Sequence, residues 1–242
     1  MNAPLLCIDC GNTRLKWGLR QGQRWLAQDA LAPAEAARLA EVLPLAPARI
    51  VACNVAGAAV GADIETLAGR LGVPLSWVRA QASQCGVTNR YDDPAQLGAD
   101  RWAALIGARH LHGGACLVVN AGTATTIDVL DAAGVFQGGL ILPGLHLMRA
   151  ALAGNTAGLP LAAGAYRELP RNTDDAIASG SLHATLGAIA RMFRRLADAP
   201  DAPCLLSGGA AAELETRLDV PVQRIDNLVL EGLARIAAAP GA

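Results

Sequence analysis

The sequence predicts an α/β protein built by duplication of one hairpin-led sheet. Apolar runs of strand length alternate with segments of helical spacing along the whole chain. The first run ends in Asp9-x-Gly11-x-Thr13 and is followed by a second strand, not a helix. The same pattern returns 111 residues later, at Asn120-x-Gly122-Thr123-x-Thr125, close to half of the 242-residue chain.

Taken in order, 5–8 reads as a buried strand, and 14–19 as a second with Leu15, Trp17 and Leu19 at period two. Residues 24–28 read as a partner for it. A helix is expected at about 33–43, a buried strand at 48–55, a helix at 58–71 and a strand at 74–80. Pro94 and Gly98 mark a loop. From Ala99 the spacing of Trp102, Leu105, Ile106 and Arg109 is helical, which sets Asp100 in a first turn. The second cycle begins with strands over 115–131 around a glycine turn and a further strand over 134–144. Helices follow at about 145–153 and 172–198, a strand at 202–209 and a last helix at about 226–238.

Composition narrows the function. Hydrophobic residues make up 52% and charged residues 17%, so disorder is excluded and a substantial core is expected. A formal charge of -1 disfavours a general binder of nucleic acid or acidic membranes. No basic leader precedes a long apolar stretch, and no run is long enough for a bilayer, so a cytoplasmic protein with reduced thiols is expected. The six cysteines are scattered. Cys7 and Cys10 have the C-x-x-C spacing, but no second ligand pair accompanies them, and the thiols read as small buried groups. The four histidines form no metal pattern, and Walker A, H-E-x-x-H and nucleophile-elbow motifs are absent from the sequence.

The two polar turns carry the chemistry. A tight strand–glycine–strand turn presents backbone amides that suit phosphate oxygens. Asp9 suits Mg²⁺, directly or through water, because that ion prefers oxygen ligands and keeps much of its hydration. Asn12 and Thr13 add neutral donors, and Lys16 neutralises phosphate charge. A third glycine turn, 207–211, opens a helix and suits close approach of a nucleotide. Asp100 is the candidate base of a phosphoryl transfer, orienting a hydroxyl and taking its proton. Arg101 is suited to a substrate carboxylate.

In this order, Asp9-x-Gly-Asn-Thr-x-x-Lys16, Leu97-Gly-Ala-Asp-Arg101, Asn120-x-Gly-Thr-Ala-x-Thr126, Gly138-Gly-x-Ile-x-Pro-Gly144 and Asn172-Thr173…Ser179-Gly180 resemble the type III pantothenate kinases of bacteria over nearly the whole chain. The resemblance implies two duplicated actin-like (ribonuclease H-like) α/β domains with an ATP cleft between them. Residues 1–112 would carry the first phosphate loop and the pantothenate motif, and 113–242 the second loop and the adenosine side. It implies ATP-dependent phosphorylation of pantothenate, the first step towards coenzyme A. ATP would be bound by Asp9, Cys10, Gly11 and Asn12, then by Thr13, Arg14, Leu15 and Lys16, and by Thr123 of the second turn. Pantothenate would be held by Tyr91, Gly98, Ala99, Asp100, Arg101 and Thr173, with Asp100 as base and Asp9 near Mg²⁺. A homodimer is implied, as is a monovalent cation, K⁺ or NH₄⁺. One position departs: Asn120 stands where the family usually has the aspartate that helps hold this cation, and a neutral amide binds a cation more weakly. That departure motivates an alternative reading, a nucleotide-binding regulatory or transcription accessory protein on the same scaffold. A kinase for another small hydroxy acid is a third.

Overall fold

The structure is a computed structural model and describes residues 3–155 and 164–239. It divides into two compact units. The first comprises the chain up to Gly113, the short stretch Gly134–Phe136 and the C-terminal stretch from Asn227. The second comprises Gly114–Ala133 and Gln137–Asp226.

In the first unit, β1 (Leu5–Cys10), β2 (Leu15–Gln21), β3 (Arg24–Leu31), β4 (Arg49–Asn54) and β5 (Leu75–Trp77) form a sheet of order β3-β2-β1-β4-β5. The first three strands form an antiparallel meander, whereas β4 pairs parallel with β1 and β5 parallel with β4. The period-two residues Leu15, Trp17 and Leu19 join Leu6, Ile8 and Cys10 in a core closed by Ile64 and Leu67 of α2 (Ala58–Leu71). Side chains alternate along a strand, so Cys7 and Asp9 point from the opposite face of β1. On that side α3 (Ala99–Leu111) and α7 (Leu228–Ala237) pack on each other and on the sheet. Their crossing needs glycine. A Cβ on Gly232 would lie 1.7 Å from the Ala103 carbonyl oxygen, and one on Gly107 would lie 2.6 Å from that of Leu228. This close crossing carries the whole of α3 from Arg101 to Ala108 into the interior.

The second unit repeats the plan. Its strands are β8 (Cys116–Ala121), β9 (Ala124–Leu130), β10 (Val135–Pro143), β11 (Cys204–Ser207) and β12 (Val222–Arg224), in the order β10-β9-β8-β11-β12. The hairpin β8–β9 is antiparallel, and β11 and β12 follow in parallel. Leu117, Val119, Ile127 and Val129 pack with Leu182 and Ile189 of α5 (Thr173–Phe193) and with Leu214 of α6 (Ala211–Glu215). Between β10 and α5 the described chain includes α4 (Leu145–Asn155). The duplication inferred from the 111-residue echo is therefore a duplication of strand order, and of direction over β9, β8, β11 and β12.

Some elements differ from expectation. The helix expected at 33–43 is a 3-10 stretch, Pro33–Arg38, followed by one α turn, α1 (Leu39–Val42). Pro33 and Pro44 bracket a segment too short to propagate a full helix. The strand expected at 74–80 pairs only over Leu75–Trp77. Three short strands were not expected: β6 (Ser83–Gln84), β7 (Val87–Asn89) and β12. The helix expected over 172–198 ends at Phe193 and tightens into a 3-10 turn over Arg194–Leu196. Cys7, Cys53, Cys116 and Cys204 are buried and outside any disulfide, as their apolar settings predict; Cys10 is buried too, and Cys85 is half-buried. Among the described residues no helix is long and apolar enough to cross a membrane.

Candidate active site

The first polar turn is built by the β1–β2 register. Asp9 faces Lys16 and Cys10 faces Leu15, leaving 11–14 as the loop. The Gly11 amide donates to the carbonyls of Asp9 (3.2 Å) and Arg14 (3.1 Å), closing the loop on itself. Asn12 donates from Nδ2 to the Val55 carbonyl at 3.3 Å, which ties the loop to the end of β4. Asn12, Thr13 and Arg14 remain exposed, while Cys10 and Leu15 are buried. Of the expected loop residues, these last two serve the core. Burial pushes the Cys10 thiol up to about 12, which keeps it protonated.

Asp9 itself is buried, only 6% exposed. One carboxylate oxygen accepts a hydrogen bond from the Cys53 thiol at 3.5 Å. Its pKa is raised to about 6, chiefly by burial; Lys16 pulls it down, and the negative charge of Asp100 pushes it up. Asp9, Lys16 and Asp100 are thus within electrostatic reach of one another, although 91 residues separate the two acids in sequence. Two carboxylates that repel each other in a poorly solvated place suit a bound divalent cation. Among the described residues no group of three or more His, Cys, Asp or Glu side chains converges on a metal position. The fit is to an ion such as Mg²⁺ that takes few protein ligands and keeps water or substrate oxygens for the rest.

Asp100 stands in the first turn of α3, where its Oδ1 accepts from the Arg101 amide at 2.8 Å. Gly98 caps this helix, and a Cβ there would lie 2.6 Å from Asp100 Oδ1. Arg101 is buried, and its Nη1 donates to the Tyr91 hydroxyl at 2.8 Å. Tyr91 is positioned in turn by Asn89, whose Oδ1 accepts from the Tyr91 amide at 3.0 Å and whose Nδ2 donates to the Pro94 carbonyl at 3.2 Å. The first unit therefore brings together the Asp9 turn, Tyr91 and the Gly98–Arg101 segment.

The remaining expected residues lie in the second unit. Asn120 pairs with Thr126, and Ala121 with Thr125, around the turn 122–124. Thr123 is exposed at the tip, and its carbonyl accepts from the Gly144 amide at 2.8 Å. The third glycine turn docks here, since the Ala210 amide donates to the Ala121 carbonyl at 3.1 Å. Asp128, the nearest acid downstream of Asn120, is buried on β9. Thr173 opens α5 behind the N-cap Asn172, whose side chain accepts from the Asp175 amide at 2.8 Å. Thr173 itself is exposed.

Sequence reasoning missed Cys53, Asn89 and Phe136. Cys53 had a legible signal, since an apolar strand parallel to β1 sets one residue beside Asp9. Asn89 and Phe136 had none, because β7 is three residues long and its pairing with β10 spans 47 residues. Two cavities in the first unit, about 180 and 480 Å³, lie elsewhere, on either side of Arg49. Two of the arginines that line them have a structural reason: Arg49 donates to the Ala237 carbonyl, and Arg235 occupies the last turn of a helix.

The sequence model of the type III pantothenate kinase family matches residues 5–195. The chain belongs to the type III pantothenate kinase family. A family protein of that name from Aromatoleum aromaticum is 59% identical over 235 residues, covering 96% of this chain and 97% of its own. Among solved structures, one from Campylobacter jejuni assigned to the Baf family of transcriptional activators superposes with TM-score 0.63 at 19% identity, covering 96% of both chains. One from Sinorhizobium meliloti described as a 2-dehydro-3-deoxygalactonokinase gives 0.60 at 18% identity, over 96% of this chain and 98% of the other. At such identities these structures speak to fold alone. That fold is the actin-like plan of two related α/β units, in agreement with the repeated strand order described above.

Proposed function

We propose that this chain transfers the γ-phosphoryl group of ATP to the terminal hydroxyl of pantothenate, the first step towards coenzyme A. The observation that carries the reading is the electrostatic meeting of Asp9, Lys16 and Asp100 at one end of the first unit, in a member of this kinase family. Phosphoryl transfer asks little covalent chemistry of the protein, and positioning and charge do most of the work. Asp100 orients the acceptor hydroxyl and takes its proton as the oxygen attacks the γ-phosphorus. The bond to the β–γ bridging oxygen breaks, and ADP leaves. Lys16 and the amides around Gly11 to Thr13 hold phosphate oxygens, and Thr123 contributes from the second turn. Mg²⁺, when bound near Asp9, supplies neutralising charge to the triphosphate. Arg101, steadied by Tyr91, grips the pantothenate carboxylate, and Thr173 completes that site.

Asn120 takes the position of the monovalent cation ligand, and its neutral amide supports a weaker dependence on K⁺ or NH₄⁺. The chain acts as a homodimer. Apolar side chains left exposed on one strand and the helix after it, Leu140, Ile141, Leu147 and Leu152, support that reading. The charge of -1 supports a small-molecule partner over nucleic acid or membrane, and a cytoplasmic enzyme.

The test is ADP release with ATP and Mg²⁺, with and without pantothenate, in Na⁺, K⁺ and NH₄⁺. Pantothenate-dependent release is expected. Asp100→Asn should fold normally and lose at least about 10²-fold in kcat, and a near-wild-type rate would remove Asp100 from its role. Turnover only with another hydroxy acid would reassign the acceptor. Nucleotide binding without any turnover would favour a regulatory protein.

A further inference from the structure

We propose that Asn89 is a positioning residue for the acceptor: its carboxamide fixes Tyr91 against the Gly98–Arg101 segment before the acceptor binds. The inference rests on the reading of Tyr91 and that segment as the pantothenate site.

Asn89 ends β7 and is a buried polar residue, 7% exposed. A buried carboxamide has to satisfy both a donor and an acceptor, or lose the bonds it made with water. The chain just beyond it supplies both partners. Asn89 Oδ1 accepts from the Tyr91 amide at 3.0 Å, and Nδ2 donates to the Pro94 carbonyl at 3.2 Å. That carbonyl also accepts from the Leu97 amide at 3.3 Å, one residue before Gly98 caps α3. One side chain therefore spans the loop from Tyr91 to the turn that leads into Asp100 and Arg101. Asparagine suits this task. Aspartate would set a second oxygen against the Pro94 carbonyl, and serine has one polar atom where two are needed.

This staple stands on a strand held at both edges. The Asn89 amide donates to the Ala82 carbonyl at 2.9 Å, and in the pairing of β7 with β10 Asn89 lies opposite Phe136. Phe136 is fully buried, and its ring packs against that of Tyr91, with centroids 5.4 Å apart and a tilt of 42°. The backbone of Asn89 thus carries the neighbour of the Tyr91 ring, while its side chain holds the Tyr91 amide. A tilted ring contact is broad, whereas the bond from Arg101 Nη1 to the Tyr91 hydroxyl at 2.8 Å is directional. The carboxamide adds the backbone restraint that lets both be made at once. A group held in this way beforehand need not be ordered when the acceptor arrives, and the difference appears as affinity.

The test is a double-mutant cycle on Asn89 and Tyr91, read as KM for pantothenate and for ATP. Asn89→Ala should raise KM for pantothenate by about three- to thirty-fold, the worth of one or two hydrogen bonds. Its kcat and its KM for ATP should stay within about two-fold, as is expected when binding common to ground and transition states is lost. Asn89→Ser, which keeps an oxygen for the Tyr91 amide, should shift the pantothenate KM less. In the Tyr91→Ala protein, the further change Asn89→Ala should add less than about two-fold, because the residue it positions is gone. A full additional shift in that background, or an unchanged pantothenate KM in Asn89→Ala, overturns the proposal. Tyr91→Ala alone separates the two layers. If it keeps the wild-type pantothenate KM, the assignment of the acceptor site falls. If it loses affinity and Asn89→Ala does not, only the role of Asn89 falls. Should Asn89→Ala unfold, the wild-type protein still decides. Its Tyr91 amide should exchange with solvent at least about ten-fold more slowly than an open loop amide, with or without pantothenate. An unprotected Tyr91 amide, or one protected only when pantothenate is present, overturns the proposal.

Discussion

The two polar turns of this protein are copies in topology, one ionic and one neutral. Both join the central strand of a unit to an antiparallel neighbour, and both central strands have a parallel strand on their other side. The first turn spans 11–14 and begins after a buried carboxylate facing a lysine. The second spans 122–124 and begins after an amide facing a threonine. The backbone plan of a phosphate-binding turn is thus kept in both, while the ionic chemistry sits in the first copy. Burial and Asp100 make that concentration costly: a carboxylate shifted from 3.8 to about 6 stores roughly 3 kcal/mol of unfavourable free energy once it is ionised.

The largest test of this contrast is to write the second turn's amide into the first. Asp9→Asn should reduce kcat/KM by at least about 10²-fold, in line with losing one preorganised electrostatic contact, and a steady-state assay on folded protein checks it. The same variant should be more stable than wild type in metal-free buffer at pH 8, by up to about 3 kcal/mol, as read from denaturant or thermal melts. A variant both inactive and less stable would show that Asp9 is a net structural asset.

The pH dependence of wild type follows with a definite sign. A carboxyl whose folded pKa is raised binds more protons folded than unfolded between pH 3.8 and about 6. Its contribution to stability therefore falls as pH rises through that window and is constant above it, so Asp9→Asn should flatten this component of the metal-free profile. A smaller effect is expected at the second turn, where Thr123→Ala should raise KM for ATP by about ten-fold, the worth of one hydrogen bond to a charged group. The smallest is Asn120→Asp, which gives the second turn the first turn's charge. It should increase activation by K⁺ only a few-fold, as expected for an interaction of about 1 kcal/mol in a partly solvated site, and an initial-rate series in K⁺ and Na⁺ checks this.

Much of the first copy was legible because its signals are local. Leu15, Trp17 and Leu19 alternate, and α2 occupies the expected 58–71 because Gly72 adopts the left-handed conformation that ends a helix. Asp100 was placed in a first turn by the helical spacing after it. The electrostatic meeting of Asp9 with Asp100 was not legible, because it depends on α3 packing against β4 and against α7, which in turn covers β1. Strands of two or three residues, such as β6 and β7, carry too little periodicity to read. The Phe136 ring beside Arg101 is brought there by the pairing of β10 with β7, so it was invisible as well.

The return of α7 to the first unit has a consequence for how the chain is made. A ribosome delivers residues from the N-terminus onward, and domains ordinarily consolidate as they emerge. Here the helix bearing Asp100 meets its partner, through the contact of Gly107 and Gly232, only when residues 228–237 have left the exit tunnel. Of the two units, the one begun first is therefore completed after the other. Any message cut short before codon 228 yields a protein in which the apolar flank of the Asp100 helix stays open to quality-control proteases, whatever the state of the unit synthesised in between.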